Sequence, residues 1–182
     1  NKKQRNELRI LVAEPFSALS MQIRGRFARA ITSGYMPNSP ASLFPIRHID
    51  LQRIDLPDET MDVLLTREIF EHLTDYRKAL AEAARILKKG GIHLFTCPFH
   101  CNTHTTTQKA TLSAQGDIEH LMEPEYHGDP LRPSEGILVF QIPGWDVLEA
   151  IRASGFSDAA VCYLSNPQGG IVGKHYTGIF VF

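Results

Sequence analysis

The sequence is poor in cysteine, in long apolar runs and in net charge, and each shortage excludes a class of protein. Its three cysteines are too few, and odd in number, for a disulfide framework, which fits a reducing compartment. No apolar stretch approaches the roughly 20 residues that span a bilayer, and no signal-peptide pattern is visible. We therefore expect a cytoplasmic protein.

The charge balance gives no argument for a nucleic-acid or membrane-surface partner. The formal net charge is -1 and the pI about 6.8, so no broad electrostatic field is implied. The 182 residues, 43% of them hydrophobic, suit one domain with a sizeable core. We therefore predict a single domain over residues 1–182 with no nucleic acid and no membrane among its partners, and we leave its oligomeric state open.

Short apolar runs alternate with helical patterns along the chain. Helices are predicted at Ser17–Phe27, after Asp75 and at Trp145–Ser154, and the proline-rich Met36–Pro45 and the stretch Gly169–Lys174 are predicted turns or loops. The sequence predicts strands at Arg9–Ala13, Ala30–Thr32, Ile46–Asp50, Val63–Leu65, Ile92–Cys97, Ala159–Leu164 and Tyr176–Phe182. This order predicts an α/β fold with a mostly parallel twisted sheet, helices on both faces and an antiparallel C-terminal strand.

The helix after Asp75 has the strongest pattern. Asp75 is a good N-cap, and an apolar stripe follows at spacings of four, three and four, formed by Tyr76, Leu80, Ala83 and Leu87. Lys88 and Lys89 would then lie at the negative end of the helix dipole. Gly90 and Gly91 supply a permissive backbone, so we expect them to end the helix.

Three segments in order carry a family resemblance. They are Asp50 to Thr66 (DLQRIDLPDETMDVLLT), Glu71 to Asp75 (EHLTD) and Ala84 to Ile92 (ARILKKGGI). Their pattern and spacing resemble the middle of class I, Rossmann-like S-adenosylmethionine-dependent methyltransferases of the small-molecule type. The resemblance implies that fold, S-adenosylmethionine as the cofactor, and methyl transfer to a small-molecule acceptor.

The resemblance also implies where the cofactor binds. Asp50 and the backbone of Leu51 would face adenine, and Glu14 and the segment Thr66-Arg67 would lie near the methionine part. Phe70 could form a wall of the cofactor site. These positions follow predicted strands, and ligands of such sheets lie beyond the carboxyl ends of the strands.

The first motif departs from the family. The family has a Gly-x-Gly turn after the first strand, where bare backbone approaches the cofactor, whereas Pro15, Phe16 and Ser17 follow Glu14 here. The acid that often ends the family's second strand is also absent near Gly34-Tyr35. The competing hypothesis is therefore a degenerate, non-catalytic methyltransferase-like module that serves in binding or scaffolding.

Histidines supply the remaining candidates. By the resemblance, His72 of the Glu71-His72 pair could act as a general base, since its ordinary pKa lies near neutrality. The polar segment 100–141 is predicted to be an irregular lid or insertion. At least one of His100, His104 and His127 would then face the cleft and bind the substrate.

A metal site is not predicted. Cys97, His100, Cys101 and His104 are all possible zinc ligands, but their spacing matches no strong zinc pattern. Cys97 is also expected to end a strand. We therefore expect no metal ion at these residues.

Overall fold

The computed structural model describes residues 6–36, 46–128, 134, 136–163, 168 and 178–181. The helices are α1 Ala18–Arg26, α2 Tyr76–Ile86 and α3 Val147–Ala153, with a 3-10 turn at Phe70–His72. The strands, in chain order from β1 to β13, are Arg9–Val12, Arg29–Gly34, Arg47–His48, Met61–Arg67, Leu87–Thr96, Thr107–Gln108, Ala110–Leu112, Ile118–His120, Tyr126–His127, Ile137–Leu138, Gln141–Ile142, Ala160–Tyr163 and Gly178–Val181.

Seven of these strands form one sheet in the order β3-β2-β1-β4-β5-β13-β12. The pairs β1–β2, β1–β4, β2–β3 and β4–β5 are parallel, whereas β13 runs antiparallel to both β5 and β12. The predicted fold class is therefore confirmed, including the antiparallel C-terminal strand. Parts of the predicted terminal hairpin, of the Met36–Pro45 loop and of the Gly169–Lys174 turn lie outside the described residues.

Side chains of β1 alternate between the two faces of the sheet. Leu11 packs into the larger core cluster with α2 and α3, whereas Ile10 and Val12 pack with Ile23 of α1. A strand buried on both faces is what a parallel sheet covered by helices requires. The core thus lies in two layers that sandwich β1 and hold its carboxyl end in place.

Helix α2 begins as predicted and ends earlier than predicted. Asp75 is its N-cap and accepts a hydrogen bond from the backbone N–H of Lys78 at 3.2 Å. The chain leaves the helix at Leu87, so the residues expected in the last turn and its cap instead open strand β5. Lys88 donates to Asp62 at 2.7 Å, and a Cβ on Gly91 would lie 2.9 Å from the Lys88 carbonyl oxygen. Gly91 therefore permits close strand pairing, and the helix ends before Gly90 and Gly91.

The segment 100–141 was expected to be irregular, and its described residues are more ordered than that. It carries β6 to β11, which form short antiparallel pairs β6–β11, β7–β8 and β9–β10. Ala110, Leu138 and Phe140 form a small core cluster of their own. The prediction failed because strands of two or three residues are too short to show an alternating pattern. None of the helices in the described part of the chain is long and apolar enough to cross a bilayer.

A buried histidine on β5 generates a prediction about acid stability. His93 is 0% exposed and its Nε2 lies 2.9 Å from the Thr66 hydroxyl. Burial lowers the pKa of His93 to about 3, below its ordinary value of 6.5. Between those two values the unfolded chain binds a proton that the folded chain does not, so stability falls as pH falls.

The double variant Thr66→Val/His93→Phe removes both polar partners together. As the pH is lowered from 6.5 to about 3, we expect its free energy of unfolding to fall less steeply than that of the wild type. The difference in slope should approach about 1.4 kcal/mol per pH unit, the effect of one proton. Urea unfolding followed by fluorescence at stepwise pH measures it. Parallel stability curves for the two proteins would contradict the assignment.

Candidate functional site

A cavity of about 500 Å³ opens at the carboxyl edge of the parallel strands. Its wall is built from the residues that follow β1, β2, β3 and β4, together with the end of the 3-10 turn and Ile137 of β10. Because these strands are parallel, their carboxyl ends meet at this one edge. A concave site of this size and place is the expected position of a small ligand.

Four of the six predicted cofactor residues line this cavity: Glu14, Asp50, Leu51 and Arg67. Asp50 is partly buried and its Oδ1 accepts a hydrogen bond from the backbone N–H of Gln52 at 2.9 Å. The carbonyl of Asp50 accepts from the backbone N–H of Arg53 at 3.0 Å. This tight turn fixes the carboxylate and Leu51 at the cavity wall.

An ion pair joins two of these positions across the cleft. Arg67 donates through Nη2 to Glu14 Oε1, which links the end of β4 to the segment after β1. Glu14 is 18% exposed and Arg67 50% exposed. A carboxylate and a guanidinium therefore stand side by side at the cavity, where together they match a zwitterionic ligand group.

Two predicted cofactor residues lie elsewhere. The hydroxyl of Thr66 contacts His93 in the core, and Thr66 borders a separate cavity of about 160 Å³. Phe70 is 2% exposed and stacks on Phe95 with ring centroids 4.6 Å apart. Phe70 is thus a core residue and does not form a wall of the larger cavity, because an apolar ring gains more from this fully packed position.

The turn that lacks glycine is packed onto the end of β2. A Cβ on Gly34 would lie 3.1 Å from Cγ of Pro15, so Gly34 is the residue that lets this turn approach. Phe16 and Tyr35 line the cavity and are 55% and 59% exposed. Aromatic rings so exposed beside a cavity favour a flat apolar ligand group, such as a purine.

The Glu71-His72 pair lies in the 3-10 turn and is held by the segment 100–141. The backbone N–H of Phe140 donates to the Glu71 carbonyl at 2.7 Å. The amide of Gln141, 1% exposed, donates to the carbonyl oxygens of Phe70 at 2.5 Å and Leu73 at 3.0 Å. His72 lines the cavity, and its Nδ1 bonds to the Leu138 carbonyl at 2.9 Å.

Of the three predicted substrate-binding histidines, the structure brings one to this region. The rings of His127 and His72 meet edge to face with centroids 5.1 Å apart. His100 contacts the Thr107 hydroxyl at 3.3 Å, and His104 is exposed beside Glu149 at 3.7 Å. Both lie near the turn that precedes α3, to which their backbone groups are bonded, and neither is among the residues described as lining the cavity.

Among the described residues, the cysteine–histidine set considered for zinc does not bring three ligand atoms within metal-binding distance of one another. Cys97 is buried and Cys101 is exposed. Burial raises the pKa of the Cys97 thiol, which disfavours the thiolate that a metal needs. A different group, Glu71, His72 and His127, has its potential ligand atoms within 4.8 Å of one another.

Two residues that matter to the site, Glu68 and Gln141, were not predicted from the sequence. Glu68 lines the cavity with φ of 50°, and its carboxylate accepts from the Thr96 hydroxyl at 2.6 Å. A left-handed glutamate has no local sequence signal, because such a conformation favours glycine or asparagine. Gln141 was missed because its contacts with the 3-10 turn span 68 and 71 residues of sequence.

The domain has a Rossmann-like ligand-binding fold. It combines this strand order and helices on both faces of the sheet with a cleft between β1 and β4, where the strand order changes direction. A methyltransferase-domain family profile matches residues 27–95. A probable S-adenosylmethionine-dependent methyltransferase of Mycolicibacterium smegmatis is 38% identical over 127 residues, which are 70% of this chain and 44% of the relative. The chain therefore spans less than half the length of that relative.

Solved structures share the fold at low sequence identity. An S-adenosylmethionine-dependent methyltransferase from Mesorhizobium loti aligns with a TM-score of 0.61 and 12% identity over 96% of this chain and 90% of its own. The Burkholderia thailandensis 1,6-didemethyltoxoflavin-N1-methyltransferase aligns with a TM-score of 0.54 and 12% identity over 94% of this chain and 69% of its own. Over its central part the chain is similar to S-adenosylmethionine-dependent methyltransferases, and it has the class I fold of these enzymes.

The amide of Gln141 generates a prediction about the integrity of the site. Gln141→Leu removes the side-chain amide that donates to the carbonyl oxygens of Phe70 and Leu73, so we expect the free energy of unfolding to fall by about 1–3 kcal/mol. Gln115→Leu, in the exposed turn between β7 and β8, is the matched control and should change it little. Chemical denaturation measures both variants, and equal effects would contradict the role assigned to Gln141.

Proposed function

We propose that this domain binds S-adenosylmethionine in the cavity at the carboxyl edge and transfers its methyl group to a small-molecule acceptor. The observation that carries the proposal is the convergence of Glu14, Asp50, Leu51 and Arg67 on one cavity in a class I fold. The relative from Mycolicibacterium smegmatis bears the name of such an enzyme. The structure from Burkholderia thailandensis holds S-adenosylhomocysteine and a small molecule, which supports this acceptor class.

The cofactor's groups match the wall of the cavity. Its methionine part carries an ammonium and a carboxylate, which suit the Glu14–Arg67 pair. Its adenine presents an exocyclic amine, which can donate to Asp50, and a flat face, which suits Phe16 or Tyr35. Pro15 packs against Gly34 and narrows the turn that follows β1. We therefore expect S-adenosylmethionine to bind more weakly here than beside a glycine-rich turn.

The methyl transfer needs little catalytic assistance beyond alignment of the acceptor atom with the methyl group of the cofactor. A lone pair on an acceptor nitrogen, oxygen or carbon attacks the methyl carbon, the carbon–sulfur bond breaks, and the electron pair returns to sulfur. S-adenosylhomocysteine and the methylated acceptor result, and the acceptor gives up a proton where it carried one. Fixing the two reactants in line supplies much of the acceleration.

The base role of His72 stays a prediction. Its Nδ1 is bonded to the Leu138 carbonyl, and its Nε2 lies 3.5 Å from the buried Glu71 Oε1. Neither contact directs a ring nitrogen toward an acceptor in the cavity. The proposed reaction therefore does not depend on His72 as a base.

Calorimetric titration with S-adenosylhomocysteine tests the cofactor site. We expect one-to-one binding to the wild type and about tenfold weaker binding to Asp50→Ala, the loss of one charge-assisted hydrogen bond. Asp117→Ala, on an exposed turn, is the control and should bind as the wild type does. Equal affinity for Asp50→Ala would remove Asp50 from the site, and no binding to any of the three would favour the non-catalytic module.

The segment 100–141 is proposed to cover the mouth of the site, and Ile137 already lines the cavity. Hydrogen exchange with S-adenosylhomocysteine, and then with candidate acceptors added, measures this. We expect slower exchange around residues 136–139 when the cavity is filled, because ligand contact suppresses local opening. Protection of the strand ends without any change in residues 100–141, with every acceptor tried, would contradict a covering role.

A further inference from the structure

Glu71 is a buried carboxylic acid in an unusual environment. Its side chain is 0% exposed, and neither carboxylate oxygen has a hydrogen-bond partner among the described residues. Two imidazole nitrogens approach the same oxygen: His72 Nε2 at 3.5 Å and His127 Nδ1 at 3.6 Å from Oε1. A buried carboxylate without hydrogen bonds is costly, so burial favours either its neutral acid form or a cation bound beside it.

In each histidine, the ring nitrogen that does not approach Glu71 lies beside an oxygen atom that can accept a hydrogen bond. His72 Nδ1 lies 2.9 Å from the Leu138 carbonyl, which can only accept, so Nδ1 carries the proton. His127 Nε2 lies 3.2 Å from Glu125 Oε1, and Lys109 donates a hydrogen bond to the second oxygen of the same carboxylate. An ionised Glu125 accepts, so His127 is protonated at Nε2.

These hydrogen bonds determine where the lone pairs point. In the neutral rings, His72 Nε2 and His127 Nδ1 both present a lone pair to Glu71 Oε1. Three electron-rich atoms then face one another inside the protein. A single proton on Glu71 can serve one histidine at a time, whereas a metal cation accepts all three lone pairs together.

We propose that Glu71, His72 and His127 bind one divalent first-row transition-metal ion, with zinc as the representative. Metal–ligand bonds of about 2.0–2.1 Å in a tetrahedral site separate neighbouring ligand atoms by roughly 3.3 Å. The two measured separations, 3.5 and 3.6 Å, lie close to that value. Two imidazoles and one carboxylate suit zinc and its neighbours, whereas calcium and magnesium prefer oxygen ligands throughout.

The surroundings of the three ligands resemble a supported metal site. The Leu138 carbonyl and Glu125 orient the two imidazoles as outer partners, and Lys109 in turn contacts the second oxygen of Glu125 at 2.5 Å. Three protein ligands leave a fourth coordination position for water or another donor atom. His72 also lines the ligand cavity, so the ion would lie directly behind the cavity wall.

Zinc titration of the full chain after chelator treatment tests the proposal, without S-adenosylmethionine or an acceptor. We expect one zinc ion per chain by calorimetry, a rise in the thermal midpoint, and competition by cobalt(II). Glu71→Gln keeps the shape of the protonated acid, and His127→Asn removes one ligand. Each should lower the affinity at least tenfold while far-UV circular dichroism remains that of the wild type.

Two further variants separate this site from zinc bound at surface histidines. Glu125→Gln, which changes only an outer partner, should weaken binding by about 10–100-fold. His104→Asn, at an exposed histidine, is the control and should bind zinc as the wild type does. No stoichiometric zinc binding by the wild type, or equal affinity in Glu71→Gln and His127→Asn, would overturn the proposal. Either outcome leaves the cofactor titration unaffected.

Discussion

Parallel pairing of β1 with β2 on one side and β4 on the other determines where the candidate site lies. The register places Val12 beside Thr32 and Leu65, so the residues that follow these three strands leave the sheet together. Glu14 and Arg67 meet for this reason, and Pro15 packs on Gly34. Because β1 is buried on both faces, this arrangement is held by the core and not by the loops themselves.

The segment 100–141 adds a second constraint on the same site. Phe140 and Gln141 bond to the backbone of the 3-10 turn, and Leu138 fixes the ring of His72. The antiparallel β9–β10 pair places His127 opposite Ile137, which itself lines the cavity. This stretch of chain therefore shapes the cavity wall and brings His127 to Glu71, so the proposed cofactor site and the proposed metal site share a structural support.

Local sequence signals predicted the elements that are long or strongly periodic. The apolar stripe of α2 and its Asp75 cap were readable because each signal lies within one element. The start of β5 was misread because glycines also occur where backbones pack closely, as Gly91 does against Lys88. The family resemblance predicted Thr66 and Phe70 near the cofactor, whereas the Thr66 hydroxyl contacts His93 and the Phe70 ring stacks on Phe95, and local sequence does not reveal such side-chain directions. The contacts of Glu71 with His127 are long-range and leave no local pattern.

The claim on which the rest depends is that the carboxyl-edge cavity holds the cofactor. A crystal structure of the chain grown with S-adenosylhomocysteine tests it most directly. We expect electron density in this cavity, with the amino-acid end beside Glu14 and Arg67 and the adenine beside Asp50 and Leu51. Density for the ligand at another place on the chain, or an unliganded cavity at a saturating ligand concentration, would contradict the claim.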